Sequence, residues 1–393
     1  MRARKCPICG VPMRKKGFTS AERQRWVCDS CRASTVVVRE DQTRKAEFIQ
    51  FLGWITSNDS LTRVGERLGV TRRTLTARFA WCWNVEPVMP RPAGWFVNVE
   101  IDGTYFTVVG WCLLTAVDGA DGTPLAAQWC NKESQAGYEA LLRQFRRATL
   151  TVTTDGHAGA LAAIRHVWPS TRVQRCLVHV HRDNRRDLTN RPETEAGIEL
   201  LSLSRRLAKN VRDADSAAQW LADFVSWYGT WQGFVKERTY ARDDPTGPRA
   251  ATHRWWWTHQ RVRRVYQRLT RLLNDGSLFT FLNPDLTSHG VIAPMTNKLE
   301  GGVNSQIKKA ARNHNGLSED HMRRAMEWRL YMLTHDPDPL QFLTPHAWQK
   351  HQPPQATPPV QPLHPQAIQQ PTLDATTYEP GISIRQGWAG RTQ

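Results

Sequence analysis

The sequence predicts an α/β protein: a mixed-sheet core, an all-helical insertion within it, and two small modules ahead of it. Three observations predict this. Two Cys-x2-Cys pairs stand within the first 31 residues. From residue 95 to 192, apolar β-branched runs alternate with segments of helical periodicity. From 193 to 290 the strand signals stop and amphipathic helical patterns follow one another. There is no internal repeat.

Taken in order, residues 1–40 predict a zinc ribbon and 41–85 a helix-turn-helix domain. Residues 86–94 (EPVMPRPAG) predict a linker, because three prolines and a glycine break regular structure. WFVNVEID, FTVVGWCLLTAVDG and PLAAQWC are strand-like runs with short connections, so an antiparallel meander is the economical arrangement. SQAGYEALLRQFRRA has helical spacing with Ser134 as N-cap. LTVTTD is a short buried strand, GHAGALAAIRHVW a helix closed by Pro169, and TRVQRCLVHVHRDN a strand running into a helix. Three strands, helix, strand, helix, strand is the order of an RNase H-like mixed sheet, although other α/β domains begin similarly. Residues 95–192 are therefore read as the first part of the core, 193–290 as the helical insertion and 291–340 as the final core helices. The Pro/Gln-rich stretch 341–393 is too poor in apolar residues to order itself.

The 393 residues carry 53 basic against 36 acidic side chains, a formal charge of +17. Such an excess points to a polyanionic partner, nucleic acid ahead of an anionic membrane surface. No apolar run approaches the roughly 18 residues of a spanning helix. MRARKCPICG lacks the apolar stretch of a secretory signal. A cytoplasmic protein is the expectation.

Eighteen residues separate Cys9 from Cys28, enough for a β-hairpin that brings Cys28 and Cys31 to Cys6 and Cys9. Four thiolates make a closed tetrahedral site, which favours structural Zn2+; an iron–sulfur site is the alternative. The surrounding Arg2, Arg4, Lys5, Arg14, Lys15, Lys16, Arg23 and Arg25 suit phosphate contact or a solvated basic face. In SLTRVGERLGVTRRTLTARFAWCW, Leu61, Val64 and Leu68 share a helical face, Gly69 permits the turn, and Thr71 caps a second helix with Leu75, Phe79 and Trp83 inward. That helix would offer Arg72, Arg73, Thr74, Thr76 and Arg78 to DNA; a plain helical hairpin is the bland alternative.

Asp102 and Asp155 each stand where an apolar run gives way to glycine, so each can project from a strand end into a shared cleft. Asp118 and Asp121, also followed by or near glycine, are read as turns. Glu100 shares a strand face with Asp102 and is a rival ligand or a neighbouring support. A third carboxylate, Glu300 at the start of a helix, would complete a set able to hold two divalent ions; spacing by itself does not choose it over Glu319 or Glu327.

From Asp102 to about Arg312 the sequence resembles the mutator-type DDE transposases, including their bacterial insertion-sequence branch. The resemblance rests on D-G-T-Y-F, T-D-G, the Cys-x2-His of RCLVHVHRDN and N-K-L-E-G-G-V-N-S-x-I-K. It implies an RNase H-like core with a helical insertion, for which the 144 residues between Asp155 and Glu300 leave room. It implies Asp102, Asp155 and Glu300 as the catalytic carboxylates holding two Mg2+ (or Mn2+). Cys176 and His179 match its Cys-x2-His element, in a structural or site-supporting role. Asn304 and Lys308 follow Glu300 by one and two turns on its helix, with Asn304 a support and Lys308 either near the scissile backbone or an ordinary surface lysine; Lys309 is a further DNA-contact candidate. In the insertion, WWW at 255–257 and the run bearing Arg261 and Arg264 would stack on or contact DNA, or simply pack. The implied activity is metal-dependent DNA cleavage and 3′-OH strand transfer by a dimer on double-stranded DNA, at the terminal inverted repeats and the target. A DNA-binding regulator with a decayed or purely nucleolytic core is the alternative.

Overall fold

The computed structural model describes residues 4–6, 8–20, 22–36, 40–106, 110–247 and 249–344. Arg2 and, from residue 345 onward, the Pro/Gln-rich stretch lie outside the described residues. Among the described residues the chain divides into two compact units, residues 88–311 with 333–337, and residues up to 87 with 312–332 and 338–344.

The larger unit is built on a five-stranded sheet. β4 (Asn98–Phe106), β5 (Trp111–Asp118) and β6 (Pro124–Cys130) form the expected antiparallel meander. β7 (Thr151–Thr154) joins β4 in parallel and β8 (Arg172–Arg175) joins β7 in parallel, giving the order β6-β5-β4-β7-β8. α4 (Gln135–Leu142) and α5 (Ala158–Val167) follow β6 and β7; Ser134 caps α4 by accepting from the Gly137 amide. Side chains alternate across a strand. Val99 and Ile101 of β4 and Val152 of β7 therefore pack on one face with Tyr138, Leu141, Ala163 and Ile164 of the two helices. The other face presents Asn98, Glu100, Thr151 and Thr153, all buried and all polar.

The chain at 291–300 supplies much of that face's hydrogen bonding, although Glu100 Oε1 stays without a partner among the described residues. Asn98 Nδ2 donates to Thr151 and Thr153, its Oδ1 accepts from the Ala293 amide at 3.1 Å, and Thr153 donates to the Ala293 carbonyl. The exposed edge of β8 is closed similarly, since Gln174 bonds the Leu278 carbonyl and the Phe281 amide. Buried polar groups without such partners would cost about 1–3 kcal/mol each.

Beyond the sheet, α6 (Leu177–Leu188), α7 (Glu195–Asn210), α8 (Ala214–Lys236) and α9 (Gln260–Asn274) share a second core around Leu200, Leu207, Trp220, Phe224, Val265 and Leu269. Their apolar stripes recur at helical spacing, as the sequence predicts. The insertion is not all-helical, however. β9 (Arg238–Tyr240) pairs antiparallel with β10 (Trp255–Trp257), so WWW is a strand and the helix begins only at Gln260. Three consecutive β-favouring aromatics win locally over the helical pattern that follows them. Among the described residues, no helix is long and apolar enough to cross a membrane.

In the smaller unit β1 (Arg14–Phe18), β2 (Gln24–Val27) and β3 (Ser34–Val36) form an antiparallel sheet, and β1–β2 is the hairpin expected between the cysteine pairs. α1 (Glu40–Ile55), α2 (Leu61–Leu68) and α3 (Arg72–Phe79) follow. Ser60 and Thr71 cap the last two, and Gly69 takes the left-handed conformation, φ 66°, between them. Val64, Leu75 and Phe79 are buried, but Leu68 at the end of α2 is exposed. Sequence places 291–340 with the core, yet α12 (Glu319–Tyr331) packs in this smaller unit. Trp328 meets Phe48 edge-on at 5.3 Å and donates to the Val85 carbonyl. Trp328 is fully buried. Trp328→Ala should destabilise this unit by about 3–5 kcal/mol, read as an earlier denaturant transition of its tryptophan fluorescence. An unchanged transition would mean the helix adds nothing to the domain.

Candidate active site and metal centre

Near the N-terminus the four cysteine sulfurs converge. Cys6–Cys31, Cys9–Cys28 and Cys9–Cys31 are 3.5, 3.4 and 3.5 Å apart. Zn–S bonds of about 2.3 Å in a tetrahedron need sulfurs separated by roughly 3.8 Å, so the set fits zinc with little adjustment. Crowding splits the thiols' protons. Backbone amides of Cys9 and Ile8 lower Cys6 to about 6. The Ala33 amide favours the Cys31 thiolate, but the neighbouring sulfurs push it up to about 12. A cation would relieve this conflict. Arg14 at the ribbon surface is paired with Asp29 at 2.7 Å.

In the larger unit, the parallel register ends with Ile101 opposite Thr154, so Asp102 and Asp155 stand side by side one step beyond it. Glycine follows each for a steric reason. A Cβ on Gly103 would come within 2.5 Å of the Glu133 carboxyl carbon. Gly156 has φ +88°, and a Cβ there would meet the Arg175 guanidinium carbon at 1.8 Å. That guanidinium donates to the Asp155 carbonyl at 2.7 Å. Burial, then Asp155, Glu133 and Glu300, hold the Asp102 carboxyl well above the usual carboxylate range.

Glu300 reaches this cleft by side-chain anchors. Lys298 donates to the carbonyls of Gly119 and Ala120 in the β5–β6 turn. Glu100 accepts from the Leu299 amide at 3.0 Å, so it positions the Glu300 segment. Burial raises the Glu100 carboxyl to about 7 against that amide's pull. Lys298–Asn304 is a π-helix, wider than the ordinary helix expected, and it leads into α11 (Ser305–Asn313). One-turn π segments recur at functional sites because they re-aim side chains. Here Glu300 and Asn304 both face the cleft, and Asn304 donates to Asp102 Oδ2 at 3.1 Å.

Cys176 and His179 lie at the start of α6, directly against this glutamate. His179 Nδ1 is 3.3 Å from Glu300 Oε1, Arg182 is 3.6 Å from Oε2, and Thr296 donates to Oε1 at 2.7 Å. The Thr296 amide also donates to Cys176 Sγ, and its hydroxyl oxygen lies 3.3 Å from that sulfur. Burial opposes the Cys176 thiolate, but His179 and Thr296 outweigh it and lower the thiol's pKa.

One acidic residue of the cleft escaped the sequence reading. Glu133 lies at the turn before α4, accepts from Tyr138 Oη at 2.8 Å and sits 3.9 Å from His157. Burial and the nearby Asp155 raise its carboxyl. It stands in a polar NKES turn with no distinguishing pattern. Its one trace in the sequence is the glycine at 103, which keeps room for it.

The basic candidates divide. Arg72, Arg73, Thr76 and Arg78 are exposed and Thr74 half-buried on α3; Lys309 and Arg261 are exposed and Lys308 half-buried. Arg264 is also exposed, although it and Arg268 clamp the buried Asp187 at 2.7 and 2.6 Å. The hairpin tryptophans are half-buried: Arg263 lies 3.6 Å over Trp257 and Arg238 4.1 Å over Trp255. Glu100→Ala removes the acceptor of the Leu299 amide and should destabilise the larger unit by about 1–3 kcal/mol, while Glu100→Gln, which keeps an acceptor, should cost less. Equal losses for both in thermal unfolding would assign the effect to charge.

No curated protein matches the chain. Residues 115–236, from β5 through α8, match the family described as Transposase, Mutator family. The match begins after Asp102 and ends before Glu300, so it is independent of the motifs around those two carboxylates, and it supports this chain as a mutator-type transposase.

Proposed function

We propose that this chain cleaves DNA at the ends of a mobile element and joins the freed 3′-OH to target DNA, using an RNase H-like core with Asp102, Asp155 and Glu300 as metal-binding carboxylates. The carrying observation is the register that sets Asp102 beside Asp155, with Glu300 delivered to the same cleft by the Lys298, Glu100 and Asn304 contacts. The sheet order, three antiparallel strands followed by two parallel ones, supports the fold assignment.

The donor chemistry fits magnesium. Asp102, Asp155 and Glu300 offer hard oxygens, and the mutual repulsion that lifts Asp102 is what a divalent cation relieves. Two such ions, when bound, supply activation of the attacking water or 3′-hydroxyl and stabilisation of the leaving oxygen. The chain's own groups do the rest. Asn304 orients the Asp102 carboxylate. Arg175 fixes the backbone at Asp155. Glu100 holds the amide just before Glu300. The α3 side chains Arg72, Arg73, Thr74, Thr76 and Arg78 read DNA as the second helix of a helix-turn-helix, with the zinc ribbon, Lys308, Lys309 and Arg261 adding phosphate contacts. A dimer on DNA follows from the need to hold two ends at once.

Alanine at Asp102, Asp155 or Glu300 should reduce Mg2+-dependent nicking of end-containing DNA to background while gel-shift binding of the same DNA persists. Nicking retained by any one variant sinks that residue's assignment; binding without nicking in the parent chain favours the regulator. Arg72→Ala and Arg73→Ala should each lower the slope of log binding constant against log salt by about 0.9 per lost phosphate contact. Unchanged slopes would place DNA elsewhere.

A further inference from the structure

Cys176, His179 and Glu300 each offer one ligand atom, and the three atoms lie within 4.8 Å of one another. A tetrahedral zinc with bonds of about 2.0–2.3 Å needs ligands roughly 3.4–3.7 Å apart, so small side-chain rotations suffice. Cys176 and His179 are three residues apart at the start of α6, which puts them on one face of one turn. Sγ stands at a helix N-terminus and accepts from the Thr296 amide at 3.4 Å, with the Thr296 hydroxyl oxygen 3.3 Å away. His179 Nδ1 is buried and lies 3.3 Å from Glu300 Oε1. The other ring nitrogen meets Arg182. Cys176 is fully buried, whereas the His179 and Glu300 side chains keep 15% and 29% exposure, which gives an ion a way in.

We propose that these three side chains form a soft-metal site that takes Zn2+, with water as fourth ligand, and that filling it draws the Glu300 carboxylate away from the ions at Asp102 and Asp155. Thiolate and imidazole select zinc, whereas magnesium prefers the all-oxygen set beside it. On binding, the thiol proton leaves to solvent, the imidazole proton moves to Nε2, and Arg182, 53% exposed, turns outward. The two metal preferences share one carboxylate, so zinc acts as a brake. The metal site stands on this cluster's geometry; the braking rests on the proposed role of Glu300.

Cobalt titration of the full chain, its N-terminal cysteines already filled with zinc, reads the site directly. One further Co2+ per chain is expected, with a thiolate-to-cobalt charge-transfer band that survives excess Mg2+. Cys176→Ser should abolish the band and His179→Gln should weaken binding at least tenfold, while Cys130→Ser should leave both unchanged. No band in the parent chain, or a band kept by folded Cys176→Ser, overturns the site; His179→Gln decides the matter if Cys176→Ser fails to fold. Zinc beyond one equivalent should then slow Mg2+-dependent nicking, reversibly with chelator. Cobalt binding without that slowing overturns the braking alone. A parent chain that never nicks DNA sinks the functional reading instead, and the cobalt band still decides the site.

Discussion

The structure depends on how a buried polar sheet face is satisfied. A strand such as β4 buries both faces, and its sequence puts Val99 and Ile101 on one and Asn98, Glu100 and Asp102 on the other. The first set has an ordinary helix-covered core. The second would be ruinous unless something supplies hydrogen bonds, and the 291–304 segment supplies them through Ala293, Leu299 and Asn304. The same bonds that make the sheet stable thereby carry a chain segment from beyond the insertion back across the ends of β4 and β7. Stability and placement of the third carboxylate are one requirement.

This explains why a long insertion is tolerated. The helices from α7 to α9 close their own core, and lengthening a connection costs little once its ends are fixed. The ends are fixed at β8, whose edge is capped by Leu278 and Phe281, and at Ala293. Arg264 and Arg268 on Asp187 tie α9 back to α6. Arg264, a DNA-contact candidate by sequence, is exposed and already paired with Asp187.

Much of this was legible in the sequence because it is local. Strand runs, caps at Ser134 and Thr71, the turn at Gly69 and the cysteine spacing each reflect chemistry within a few residues. Strand-end placement likewise marked Asp155; Asp102, read the same way, lies inside β4, which continues to Phe106. What stayed hidden is non-local or without pattern. Glu133 gives no signal in its own turn; its presence shows only as the missing side chain at Gly103. The β9–β10 pairing joins two three-residue strands across a fourteen-residue connection, so no alternation announces it. The π-helix arises where Gly301 and Gly302 loosen the backbone and fixed anchors on both sides set the fit.

Glu300 is the least rigid member of the cleft by construction. Asp102 lies within β4, still paired with Thr115 of β5, and Asp155 directly follows β7, so moving either means disturbing the ladder. Glu300 instead hangs from a glycine-bearing π-helix, and its carboxylate is shared by Thr296, His179 and Arg182. Those partners belong to loop and helix side chains, which rearrange at far lower cost than a sheet. Thr296 couples the two halves of this arrangement, because one hydroxyl touches both the Cys176 sulfur and Glu300. A change of charge or ligand at Cys176 is therefore felt at Glu300 before it is felt anywhere in the sheet.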